Sequence, residues 1–141
     1  MKKLFLFFLL IVFGTSIQAQ SDDFDGVSIT VTATNAKESD AKVRFMLYTQ
    51  SNFDKKEALQ SARAKVVNGK SVVIFSNVKP GDYAILCYED ANNNVIIDKK
   101  EDGTPKEKTG ASNNRSQNGS STWNNAKFSV GSENIELEIN L

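Results

Sequence analysis

Lys65-Val66-Val67-Asn68-Gly69-Lys70-Ser71-Val72-Val73-Ile74-Phe75 decides the fold class. Asn-Gly supplies two residues that tolerate positive φ, as a tight type I′ hairpin turn requires. Apolar β-formers flank it on both sides. The spacing predicts a hairpin that pairs residues 65–67 with residues 71–75.

Working outward, the same period of two recurs. Val27, Ile29, Val31 and Ala33 alternate with Ser28, Thr30 and Thr32. Val43, Phe45 and Leu47 alternate with Arg44, Met46 and Tyr48. Each pattern is a strand with one face on a core. Lys79-Pro80-Gly81-Asp82 reads as a turn, because proline presets φ and glycine accepts a left-handed backbone. Tyr83-Ala84-Ile85-Leu86-Cys87-Tyr88 then runs without a polar break, as a central strand does. Residues 123–130 make a strand around Ala126, Phe128 and Val130, and residues 135–141 alternate cleanly from Ile135 to Leu141. Residues 51–64 form the one helix-like piece, short enough to be equally a loop with one turn of helix. About seven short strands with almost no helix predict an all-β fold, an antiparallel β-sandwich with a long polar loop.

The N-terminus has the three parts of a secretory signal peptide. Lys2 and Lys3 precede an apolar run over residues 4–13, and Ile17-Gln18-Ala19 offers a cleavage site after Ala19. The run is short of the ~20 apolar residues that a membrane span needs. The expected organisation is a signal peptide at 1–19, a polar lead-in at 20–25 and one domain at 26–141. Export to the periplasm or the exterior follows, with no membrane span after cleavage. A domain of about 120 residues buries roughly two-thirds of its unfolded surface, enough for its own core.

Composition narrows the function. The 141 residues hold 17 basic and 17 acidic side chains, with no basic stripe of the kind that binds nucleic acid. Histidine is absent, which removes Ser-His-Asp and Cys-His catalysis as usually built. Cys87 is the single cysteine, so no internal disulfide forms and multi-cysteine zinc modules are excluded. Its apolar surroundings mark a buried, inert thiol.

One gap stands out. Residues 90–122 interrupt the strands with little regular pattern, and loops beyond ~15 residues tend to be functional or disordered. Oxygen-bearing side chains fall at Asp90, Asn92, Asn94, Asp98 and Glu101. Taking Asp90 as position one, they stand at one, three, five, nine and twelve. The backbone carbonyl of Ile96 falls at seven. That is the donor pattern of a calcium loop, in which three carboxylates balance a hard cation. Position six, normally glycine, is Val95, and a β-branched residue resists positive φ. Two other readings use the same residues. Asp and Asn also cluster because turns favour them. Glu89, Asp90, Asp98 and Glu101 also include the makings of a carboxylate pair for hydrolysis of an envelope polymer. Trp123, beside the loop, reads as a platform for stacking a ligand or, as is commoner, a plug at one end of the sandwich.

A resemblance rests on particular runs: Pro80-Gly81-Asp82-Tyr83-Ala84, then Asp90-Ala91-Asn92-Asn93-Asn94 with Asp98. It continues through Gly103-Thr104-Pro105-Lys106-Glu107 and Gly110-Ala111-Ser112-Asn113-Asn114 to the step from Trp123 to Ala126. In order and spacing these are similar to a family of secreted bacterial proteins known as domain of unknown function 2141. The resemblance covers nearly all of residues 26–141. It implies a small transthyretin-like or immunoglobulin-like sandwich and no activity. Ala91, Val95 and Ala111 depart from the family's pattern. The expected protein is an exported, monomeric, non-enzymatic binding or structural module of the cell envelope, with calcium as its candidate ion. Its partner is expected to be an envelope protein or glycan, with a neighbour-encoded membrane protein as a further reading.

Overall fold

The computed structural model describes residues 25–37, 40–115 and 121–141. The signal peptide expected at 1–19 and most of the lead-in expected at 20–25 lie outside the described residues. Among the described residues no helix is long and apolar enough to cross a membrane.

Two sheets face one another. The first holds β1 (Val27–Thr34), β4 (Ser71–Val78) and β8 (Ile135–Asn140), in the order β4-β1-β8. The second holds β2 (Lys42–Tyr48), β3 (Gln60–Lys65), β5 (Gly81–Asp90) and β6 (Thr109–Ala111), in the order β3-β2-β5-β6. β7 (Phe128–Val130) pairs with the start of β5. Two single helical turns, α1 (Gln50–Phe53) and α2 (Trp123–Ala126), and a short 3₁₀ turn at Ser112–Asn114 join the strands. The architecture is the all-β sandwich that the alternation predicts. It is mixed rather than purely antiparallel, since β8 runs parallel to β1.

The inward residues of both sheets meet in one core. Ile29, Val31, Val43, Phe45, Leu47, Phe75, Ile85 and Ile139 are all buried there. Their alternation with outward polar residues along β1 and β2 is the pleat expressed in sequence. β5 is buried on both faces, which explains its unbroken apolar run. Its outer residues Ala84 and Leu86 join Ala111 and Ala126 in a second small cluster, closed by Phe53 and Trp123. Trp123 stands edge-on to Phe53 at 5.7 Å, and Phe53 edge-on to Tyr48 at 5.6 Å. Cys87 is buried, and burial pushes its thiol up to about 12, with the Gly110 backbone N–H pulling the other way.

Four local expectations are corrected. Asn68 and Gly69 do make the tight turn, with φ of 52° and 73°. Only Val67 and Lys70 pair across it, and the chain then splits between the sheets. β3 joins β2, β4 joins β1, and side chains bridge the corner: the Ser71 hydroxyl donates to Ala64 O at 3.0 Å. The helix-like piece is helical only over α1. Residues 60–65 are strand because β2 offers them a full ladder and the core takes Ala62 and Ala64, which overrides helix propensity. Residues 123–126 are a helical turn, leaving β7 as the short strand. Within the long polar stretch, β6 lies against β5.

β6 also closes the sandwich against β8. A Cβ at Gly110 would stand 2.6 Å from Ile139 Cγ2 and 2.9 Å from Asn140 O. Only a residue without a side chain lets the two sheets approach so closely there.

Candidate functional site

β5 leads into the site. Tyr88 and Asp90 lie on its outer face, opposite Arg44 and Lys42 of β2. Asp90 is 1% exposed, and its Oδ2 accepts from Arg44 Nε at 2.9 Å. The same oxygen accepts the backbone N–H of Val95 at 3.1 Å. Its other oxygen, Oδ1, is buried with no hydrogen-bond partner. A buried unpaired oxygen costs about 1–3 kcal/mol, more on a charged group, so something must offset it.

Beyond Asp90 the chain winds tightly. Asn92 Oδ1 accepts from Asn94 N–H at 3.1 Å, and Asn94 Oδ1 accepts from Ile96 N–H at 2.8 Å. Both are Asx turns, which asparagine forms readily. Asn93 has φ of 58° and Val95 has φ of 73°. The sixth position thus takes the left-handed backbone normally left to glycine, with a β-branched residue in it, at a cost of about 1–3 kcal/mol. The amide nitrogens of Asn92 and Asn94 donate to the Asp98 carboxylate, the first at 2.7 Å.

Asp98 then opens a small hairpin. Lys106 N–H donates to Asp98 O at 2.8 Å, Lys99 pairs with Pro105, and Lys100 N–H donates to Thr104 O at 2.8 Å. Glu101 is exposed in the turn at the far end of this hairpin, out of the group formed by Asp90, Asn92, Asn94 and Asp98. Ile96 stays in the loop, exposed, where its carbonyl can act as a donor. The glutamate that closes the loop is Glu107. Its Oε1 accepts from Ala91 N–H at 3.0 Å and its Oε2 from Asp98 N–H at 3.3 Å, tying the two ends together. Spacing from Asp90 could not find Glu107, because a hairpin intervenes. The run Gly103-Thr104-Pro105-Lys106-Glu107 marked it without giving it a role.

Among the described residues no three of His, Cys, Asp or Glu converge on a point. The loop's donors are two carboxylates, two side-chain amide oxygens and a carbonyl, a set suited to a hard cation rather than zinc. Two neighbouring carboxylates outside that set are engaged elsewhere: Glu107 holds two N–H groups, and Glu89 Oε1 accepts Lys37 N–H at 3.0 Å. Burial pushes the Tyr88 phenol up. Arg44 beside it works against this, and Asp90 and Glu107 reinforce it.

A second polar knot follows β6. The buried Ser112 hydroxyl accepts Ile85 N–H at 3.0 Å and donates to Ala126 O. Asn113 Nδ2 donates to Lys127 O at 2.8 Å. Asn114 donates to Glu138 O at 3.1 Å and accepts Asn140 N–H at 2.7 Å. Gly110-Ala111-Ser112-Asn113-Asn114 is therefore a staple among β5, α2 and β8.

The family model described as "Uncharacterized protein conserved in bacteria (DUF2141)" matches residues 31–138, and the chain belongs to that family. No curated protein matches it.

Proposed function

We propose that this member of the family is a non-enzymatic binding or structural module of the bacterial cell envelope, exported by residues 1–19, whose loop at 90–98 is ordered by calcium. One observation carries the reading. Asp90 is buried at the loop's first position, with Oδ2 spent on Arg44 and the Val95 N–H and Oδ1 left without a partner. A cation at Oδ1 removes the cost of that orphan. Asn92, Asn94, Asp98 and the Ile96 carbonyl are the donors within the same loop. The ion would supply positive charge to Asp98, which now draws only on amide dipoles. The strained Val95 keeps the affinity weak, on the order of 10⁻⁴ to 10⁻³ M, as in extracellular modules.

The test is a thermal melt with calcium at about 5 mM, roughly ten times a mid-range constant. The expected gain is about 1.4 kcal/mol by mass action. Asp82→Ala, which loses the Ser129 hydroxyl bond on another stretch of β5, should keep that gain. A melting temperature indifferent to calcium would overturn the ion. Intact mass of exported material should place the N-terminus at Gln20 or Ser21, and full-length protein in the membrane fraction would overturn export.

A further inference from the structure

A cleft of about 630 Å³ opens on the outer face of the second sheet, within the range of small-molecule sites. Met46 and Tyr88 form its floor, and Phe53 of α1 stands on one side. The opposite wall is the candidate ion loop, through Val95 and Ile97. The lining is mostly apolar and aromatic. Its cations are Lys56 and Lys99, whose ammonium groups make no hydrogen bond or ion pair among the described residues. Asp102, the one acidic residue of the lining among the described residues, is occupied by the Thr104 N–H at 2.9 Å and the Thr104 hydroxyl at 2.6 Å.

Val95 and Ile97 belong to both the cleft and the loop, and Tyr88 of β5 joins the floor to the loop's first residue. Val95 lines the cleft while its N–H holds Asp90. Tyr88 lies in the floor opposite Arg44 on β2, and Arg44 Nε holds Asp90 Oδ2 at 2.9 Å. A change in the set of the loop, or in the Arg44–Asp90 pair, therefore reaches a wall and the floor together.

We propose that the cleft binds a flat apolar molecule bearing one anionic group, and that calcium in the loop controls its affinity. The apolar floor takes the body of the ligand, and Lys56 and Lys99 take its charge. The coupling rests on the ion reading above; the cleft itself does not. Linkage requires the ligand to raise calcium affinity by the factor by which calcium raises ligand affinity.

Anilinonaphthalene sulfonate is a suitable probe, with phenylnaphthylamine as its uncharged counterpart. Dye fluorescence is titrated on the purified protein in calcium and in chelator. The sulfonate should bind about tenfold more tightly in calcium, inside the range usual for coupled sites. Phenylnaphthylamine should bind more weakly. Met46→Trp should fill the floor and abolish binding while the calcium-dependent melt persists. Lys56→Glu, at an exposed position, should weaken the sulfonate about fivefold and leave the neutral dye unchanged. No dye binding in either condition overturns the cleft, and the melt then reports separately on the ion. Equal sulfonate binding with and without calcium overturns the coupling. Equal binding of the two dyes overturns the anionic class.

Discussion

The loop at 90–98 and the staple at Ser112–Asn114 are built from the same materials and end differently. Both are asparagine-rich, and both hold left-handed residues: Asn93 and Val95 in one, Asn113 and Asn114 in the other. In the staple, the Ser112 hydroxyl and both asparagine amides are spent on backbone groups of the surrounding elements. In the loop, bonds run mainly within the loop, and Asp90 Oδ1 is left over. Composition alone does not separate a fastening from a site. The number of unmet bonds does.

The largest test of that contrast is Ser112→Ala. It leaves Ile85 N–H and Ala126 O without their side-chain partner in a buried place, and should cost about 3 kcal/mol in denaturant melts. The cost should be the same with and without calcium; a calcium-dependent cost would merge the two regions. Asp90→Asn tests the loop. It should remove the gain of about 1.4 kcal/mol that calcium gives at tenfold excess. A retained gain would place the ion elsewhere.

Val95→Gly relaxes a β-branched residue at φ of 73°, and should stabilise the protein by about 1 kcal/mol without calcium. It should also tighten calcium binding in a calorimetric titration. A loss of stability would mean that the apolar contact of Val95 outweighs its strain. The smallest effect lies beside the staple, at Cys87 opposite Gly110. Its thiol titrates at about 12 when folded, against an ordinary thiol value of 9.0. The unfolded chain therefore ionises first, and stability is complete below about pH 9 and falls as pH rises toward 12. By pH 9.5 wild type should lose about 0.8 kcal/mol more than Cys87→Ala, each relative to pH 7. Parallel losses would mean that the thiol reaches solvent.

Much of the fold was legible in the sequence, because β1, β2, β5 and β8 each express their burial as alternation or as an unbroken apolar run. β3 was not, since Ala62 and Ala64 are as good in helices as in strands until β2 supplies a ladder. β6 was hidden in three residues whose reason for being there is the fit of Gly110 under β8. Asn68-Gly69 specifies a turn, but a local signal carries no information about which sheet each arm joins. In the loop, the spacing picks out Asp90, Asn92, Asn94 and Asp98, whose hydrogen bonds wind them together. It does not pick out Glu107, because its place depends on a hairpin that brings residues 98 and 106 together.

The parallel pairing of β1 with β8 has a kinetic consequence. Ser28 N–H bonds Asn134 Oδ1 across a separation of 106 residues. β1 is the central strand of its sheet, and only β8 can cover its second edge. Closing such a distant contact costs chain entropy before any packing repays it, so this step sets a slow pace for folding. A chain emerging N-terminus first has Ile29, Val31 and Ala33 made long before Ile139 arrives to seal them. Until then the second edge of β1 has no strand to pair with.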